Sequence, residues 1–228
     1  MPSALPFDLK LARQVKTDSL TPCQQKTTPG FKTATDYRVQ HMLKHPFLSQ
    51  FHSRAEHLMA GLLEGNRAVT SYVPQPFLVW IGKRRYTPDG YIVSDDAPRT
   101  VYELKPRGEF PDERRIPLEH FFAQYGMPFE VYSNESIYER ELEAENWLEI
   151  VRILHLARDY ETTDAEQHVL EQLFKKGPCT LGDLIDPGDR ERTYPEEIAL
   201  FRLLHRGHLM ANLAEKPLNF DTEFSSCT

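Results

Sequence analysis

The sequence predicts an α/β protein: a mixed β-sheet with helices packed on it, followed by a small helical C-terminal module. Three observations predict this. Strand-like stretches, alternating or rich in β-branched residues, recur between Val69 and Tyr132. Helical spacing of apolar residues brackets that block, around Ala55–Leu63 before it and between Pro111 and Tyr125 within it. Beyond Ile137 the apolar spacing is almost entirely helical.

Taken in order, residues 1–35 are rich in Lys, Thr, Pro and Gln, with only short apolar clusters, and read as an extended arm ordered against a partner. Tyr37 to Lys44 reads as a short helix stopped at His45-Pro46, since the residue before proline avoids helical dihedrals. Ser53-Arg54-Ala55-Glu56 opens the first strong helix, which buries Ala55, Met59, Leu62 and Leu63 and ends at Gly65. Ala68 to Ile81 is extended, interrupted by Pro74 and Pro76; Arg84 to Val93 is a strand bent at Gly90; Thr100 to Lys105 is a third, after a turn at Asp95–Pro98. A helix over about Pro111–Tyr125 and a short strand at Phe129–Tyr132 follow. Tight connections make the first strands antiparallel, whereas the strand–helix–strand ending requires a parallel crossover, giving a mixed αβββαβ core over about residues 47–134. A long helix from Ile137 to Arg158 comes next. Short helices at Asp164–Lys176, Leu181–Ile185 and Pro195–Arg206, with strands at His208–Leu213 and Leu218–Phe220, make a winged-helix-like module. The expected organisation is a basic N-terminal arm over 1–46, an α/β domain over 47–160 and a C-terminal module over 161–228.

The composition is that of a globular protein, with 40% hydrophobic and 11% aromatic residues in 228. No apolar run approaches the roughly 20 residues of a membrane span, and the first residues lack a signal peptide's apolar region. Three scattered cysteines form neither a disulfide framework nor a zinc pattern, so a reduced, cytoplasmic protein is expected. A net charge of −7 argues against a surface that binds nucleic acid everywhere, but the charge is segregated. Residues 1–50 carry seven Lys/Arg against three Asp, a net of +4, while residues 135–171 carry eleven acids against three Arg, a net of −8. This division fits one face for nucleic acid and another for a protein partner; a merely solvated acidic helix is the plainer alternative.

The chemistry-bearing stretch is Pro88-Asp89, thirteen residues, then Glu103-Leu104-Lys105. In a strand, Val101, Glu103 and Lys105 share one face, with Tyr102 and Leu104 on the other. If the Asp95–Pro98 turn pairs the two strands, Asp89 joins Glu103 on that face, and Glu56 on the preceding helix supplies a third carboxylate. Carboxylates that hold a hard divalent cation, with a lysine nearby to orient water or offset charge, are what metal-assisted phosphodiester hydrolysis needs. Each fragment also has an ordinary reading: Pro-Asp-Gly is turn chemistry, Glu-x-Lys a surface pair, and Ser53-x-x-Glu56 a capping box. Their order and apolar framing favour the site.

With Glu56 upstream, Pro88-Asp89…Glu103-Leu104-Lys105 resembles the PD-(D/E)xK pattern of restriction-endonuclease-like nucleases. The chain is most similar to the TnsA family, endonuclease subunits of heteromeric transposases. That resemblance is carried by Ser53–Glu56, Tyr72-Val73-Pro74-Gln75-Pro76-Phe77, Tyr86–Asp89, Tyr102–Pro106, Phe129–Ile137 and Asn146-Trp147-Leu148. It covers about residues 45–160 well and the rest loosely. It implies a restriction-endonuclease-like fold and a Mg²⁺-dependent DNA endonuclease, with Mn²⁺ as substitute, that cuts the 5′ strands at transposon ends. A TnsB-type transposase would handle the 3′ strands, and a TnsC-type AAA+ ATPase would bind the C-terminal region; a prokaryotic, nucleoid-associated location follows. By position, Glu56, Asp89 and Glu103 would hold the metal and Lys105 would be the catalytic lysine. Some members carry Gln where this chain has Glu103, a change that favours cation binding. A stand-alone restriction or repair nuclease, and a non-catalytic adaptor between transposase and regulator, are the alternatives.

Other candidates are weaker. His41 and His45 would share a helical face but lack a third ligand. His205 and His208 are expected at a helix end, where positive charge suits the dipole. Lys83, Arg84 and Arg85, with Arg107, Arg114 and Arg115, are candidate DNA-backbone contacts.

Overall fold

Prolines, glycines and β-branched residues partition the middle of the chain into strands largely where their spacing predicts. The computed structural model describes residues 7–227, the side chains of Phe31 and Ala34 excepted, so the first six residues of the expected arm lie outside the described residues. The chain forms two compact units, residues up to 40 with 47–57 and 68–139, and residues 41–46 with 58–67 and 140 onward.

The first unit contains α1 (Leu9–Ala12), β1 (Val15–Thr17), α2 (Pro29–Ala34), β2 (Arg38–His41, its last residue in the second unit), β3 (Leu48–Phe51) and the first turn of α3 (Arg54–Gly65). It continues with β4 (Val69–Pro74), β5 (Val79–Ile81), β6 (Arg84–Tyr86), β7 (Gly90–Ser94), β8 (Thr100–Lys105), α4 (Asp112–Ala123), β9 (Phe129–Ser133) and α5 (Asn134–Tyr138). The central sheet has the order β4-β7-β8-β9. Its β4/β7 and β7/β8 pairs are antiparallel and β8/β9 is parallel, with α4 as the crossover. The result is an α/β architecture with a mixed sheet. Val101, Phe77, Val79, Leu118 and Phe122 form the centre of its core, where the Phe122 and Phe129 rings stack with centroids 5.9 Å apart.

Three local expectations give way here. The stretch expected as a helix over Tyr37–Lys44 contains strand β2, which pairs with β3; its exposure alternates, as suits a β-branched Val39 on a half-exposed edge. The single strand expected over Arg84–Val93 is two, because Pro88 cannot donate to a ladder; β6 joins β5 and β1 in a separate antiparallel sheet. The arm expected to be extended supplies the edge strand of that sheet, burying Ala12 and Val15, while the Thr17 hydroxyl donates to the Leu78 carbonyl at 2.8 Å.

The second unit comprises the rest of α3, then α6 (Glu141–Leu156), α7 (Thr163–Lys176), β10 (Cys179–Thr180), α8 (Leu181–Leu184), α9 (Arg190–His205), β11 (Leu209–Ala211) and β12 (Glu223–Ser226). Its core is Ile150, Val169, Ile198, Leu200, Phe201, Leu209 and Phe224. The expected helix from Ile137 to Arg158 is two helices: the Ser133 hydroxyl caps α5, and α6 starts anew at Glu141. The last strand lies at Glu223–Ser226, not Leu218–Phe220. Asn146 explains the shift: its side chain accepts from Leu218 N at 2.8 Å and donates to the carbonyls of Leu213 and Lys216 at 2.7 and 2.9 Å, holding that segment as a loop. Gly65 closes α3 where an added Cβ would fall 2.1 Å from the Trp147 indole nitrogen.

One buried acid organises this unit. Glu64, 1% exposed, accepts from the amides of Leu43 and Lys44, both at 3.0 Å, and faces His205 Nε2 at 2.9 Å. The Lys44 ammonium in turn donates to the carbonyls of Leu63 and Asn66 at the end of α3. Replacing the acid leaves two amides and an imidazole without their acceptor, so Glu64→Ala is expected to lower the unfolding free energy by about 3 kcal/mol, measured by urea denaturation.

Candidate active site

The β7/β8 pairing sets Gly90 opposite Tyr102. Continued one step, it sets Asp89 opposite Glu103, so two acids meet where the sheet loses its regular ladder. Asp89 precedes β7, in the break made by Pro88. Its Oδ2 accepts from Leu104 N at 2.7 Å, and its own amide donates to Glu103 Oε2 at 3.3 Å. Gly90 allows the approach: a Cβ there would lie 2.2 Å from the Tyr102 ring. Glu103 is 2% exposed, because β8 is an inner strand with partners on both sides. Val101, expected on the polar face with Glu103, is core, so that face is polar only towards its C-terminal end.

Glu56 reaches the same place from α3. Its amide donates to the Ser53 hydroxyl at 3.2 Å, so Ser53 caps the helix as expected, while the Glu56 carboxylate closes on the amide of His52 and not on that of Ser53. Its carboxylate also accepts from Ser53 Oγ and His52 N, both at 3.1 Å, and from Gln75 Nε2 at 2.5 Å. One residue therefore both closes on the helix start and faces the cluster.

The cluster is electrostatically unbalanced. Burial pushes the Glu56 carboxyl up to about 7, with Glu103 adding to the rise. Burial, then the charges of Glu103 and Glu56, hold Asp89 well above the usual carboxylate range. Glu103 is raised by burial too, against the pull of Lys105. The Lys105 ammonium forms an ion pair with Glu103. Burial opposes its charge, but Glu103, Asp89 and Glu56 together lift its pKa, so it stays a cation at neutral pH. The Tyr86 hydroxyl donates to Glu103 Oε2 at 2.5 Å, and burial keeps that phenol protonated.

Glu56 and Asp89 line a cleft of about 610 Å³ together with Gln25, Lys26, Thr27, Thr28, His52, Gln75, Leu78, Arg85, Tyr86 and Thr87. Lys83, Arg84 and Arg85 are exposed on the β5–β6 hairpin, and Arg85 reaches the cleft wall. Arg84 and Arg114 line a smaller adjoining pocket of about 220 Å³ with Arg85. Arg107 is exposed at φ 55°, its amide donating to Glu135 Oε2 at 2.7 Å. Arg115 is committed to Asp112 and Glu119 on its own helix. His41 is not helical; its ring stacks on His155 with centroids 4.2 Å apart. His205 stands in the last turn of α9, as expected, but is turned to Glu64.

Sequence reasoning missed Tyr86, Gln75 and Lys26. Gln75 left a signal, a polar residue between two prolines in an apolar stretch; Lys26 was one more charge in a basic arm.

Oxygen donors in a buried, net-negative cluster suit a hard divalent cation such as Mg²⁺ or Mn²⁺, so Glu56, Asp89 and Glu103 fit that ion in kind. Among the described residues, no three His, Cys, Asp or Glu side chains form a ready-made coordination group. Glu103 is held by Lys105 and Tyr86, and Glu56 by Ser53, His52 and Gln75. Models of known protein families yield no match to the chain, and no curated protein matches it.

With its pKa raised from 4.5 to about 7, Glu56 binds a proton in the fold that the unfolded chain has released, so its contribution to stability falls as pH rises through that window. In the presence of EDTA, Glu56→Gln is expected to gain stability relative to the wild type between pH 5 and pH 7.5, read by denaturant titration at each pH. The comparison cancels the opposite effect of His57, whose pKa burial depresses to about 4.

Proposed function

We propose that this chain is a Mg²⁺-dependent DNA endonuclease that cuts the 5′ strands at transposon ends, working beside a TnsB-type transposase and a TnsC-type AAA+ regulator. The observation that carries the reading is the meeting of Asp89 and Glu103 across the β7/β8 register, with Lys105 paired to Glu103 and Glu56 lining the same cleft as Asp89. The order α3, β4, β7, β8, α4, β9 around a mixed sheet supports a restriction-endonuclease-like core. The α7, α8 and α9 helices with the β10-β12-β11 sheet support a winged-helix-like module. Among the described residues no helix is long and apolar enough to cross a membrane; a cytoplasmic, nucleoid-associated setting belongs to the proposal.

Hydrolysis adds water across a phosphorus–oxygen bond, and negative charge builds on the phosphate as it proceeds. A cation held by Glu56, Asp89 and Glu103 would supply Lewis acidity beside that phosphate. Lys105 stays protonated, so its part is to offset charge and orient water through its N–H donors, not to abstract a proton. Tyr86 and the Asp89 amide fix the Glu103 carboxylate. Lys26 and Arg85 on the cleft wall, with Lys83 and Arg84 beside them, track the sugar–phosphate backbone without reading sequence. The protein partner is assigned to the second unit, where Leu170 and Phe174, four apart on α7, are exposed, Phe174 by 90%.

In a complex assembled with the transposase, Asp89→Ala is expected to reduce 5′-strand cleavage by about a thousandfold and Lys105→Ala by about a hundredfold. Intact cleavage by Asp89→Ala sinks the assignment, and sequence-specific cutting by the chain alone moves it to a stand-alone nuclease. Replacing Lys83, Arg84 and Arg85 together by Ala is expected to weaken DNA binding and to flatten the slope of log affinity against log salt by about 2.7, measured by fluorescence anisotropy.

A further inference from the structure

Gln75 has every polar atom engaged. Its amide donates to Asp89 O and its carbonyl accepts from Gln25 N, both at 3.0 Å. Its side chain donates through Nε2 to Glu56 Oε2 at 2.5 Å and accepts through Oε1 from Gln24 Nε2 at 2.8 Å. It is 2% exposed and sits between Pro74 and Pro76 at φ 42°, a left-handed backbone that glycine would adopt freely and glutamine does not favour. A strained backbone at such a position is held in place by the contacts around it.

The direction of these hydrogen bonds is fixed from outside the site. Gln24 Nε2 also donates to the Gln50 carbonyl at 2.7 Å, and Gln24 Oε1 accepts from Gln50 N at 3.3 Å. Backbone donors and acceptors cannot exchange roles, so β3 sets which end of the Gln24 amide faces Gln75. Gln24 presents a donor, Gln75 must answer with its oxygen, and the Gln75 amide nitrogen is left pointing at Glu56. The chain of amides ends by offering Glu56 a donor, which the ionised carboxylate accepts best.

We propose that Gln75 is a positioning residue that holds Glu56 and the Asp89 backbone together for a divalent cation, and that Gln24 locks its orientation. The segment Cys23–Thr28 is then part of the site: its first residues brace Gln75 and its last four line the cleft. This proposal rests on the reading of Glu56, Asp89 and Glu103 as cation ligands.

The test is Mn²⁺ binding to the full chain without DNA, followed by electron paramagnetic resonance of the free ion, with melting temperature measured in parallel. Gln75→Gly removes the side chain while easing the backbone, and Gln75→Met keeps the length but removes the donor. Each is expected to weaken Mn²⁺ binding by about tenfold or more, with the melting temperature of Gln75→Gly preserved. Gln24→Ala is expected to give a smaller loss in the same direction. Wild-type Mn²⁺ affinity in a folded Gln75→Gly overturns the proposal; if that variant does not fold, wild-type affinity in Gln24→Ala overturns it. Asp89→Ala separates the two levels. If it abolishes Mn²⁺ binding while the Gln75 variants bind normally, only the positioning role fails; if it binds normally too, the cation site itself fails.

Discussion

Crowding of three carboxylates around one ammonium is the constraint on which the first unit turns. Glu56, Asp89 and Glu103 are each raised by burial, and the full charge of Lys105 opposes the rise at Asp89 and Glu103. Such a group is tolerated in a fold where its oxygens find donors and the surrounding structure is too stiff to spread the charges apart. Backbone amides of His52, Asp89 and Leu104 and the side chains of Ser53, Gln75 and Tyr86 supply the donors. The stiffness comes from β8, paired on both edges, and from the Tyr102 ring lying against Gly90.

The irregular backbone falls where this constraint acts. Among the described residues, the two non-glycine positions with positive φ are Gln75 and Arg107. One contacts Glu56; the other lies two residues past Lys105, where the chain leaves the sheet. A regular ladder would carry both strands straight past the cluster. The turns in the chain at these two positions border the cluster, and local strain of this kind collects around functional sites.

Much of the site was legible because it is built from short-range rules. Period-two alternation and the Asp95–Pro98 turn were enough to oppose Asp89 and Glu103, and Ser53-x-x-Glu56 announced its helix start. The mixed sheet followed from connection lengths. What escaped depends on partners distant in sequence. Arg38–His41 is a strand because β3 lies beside it, although its residues suit a helix equally. The N-terminal segment is ordered by a sheet more than 50 residues away, as when Gln24 meets Gln75. Leu218 is in a loop because of Asn146, 72 positions earlier. Nothing in the sequence around Glu64 announces that two amides and His205 close on it.

The parallel pairing of β8 with β9 has a consequence in time. Antiparallel β7 and β8 can close as soon as their turn is made, but β8 becomes an inner strand only after the chain has crossed over through α4 and laid down Phe129–Ser133. Until then the strand bearing Glu103 and Lys105 has one free edge and can slip; a slip of a single residue would exchange Glu103 and Lys105 with Tyr102 and Leu104. During synthesis, therefore, the carboxylate cluster is assembled only once the last strand of its sheet has emerged, and an incomplete chain carries the residues of the site without its geometry.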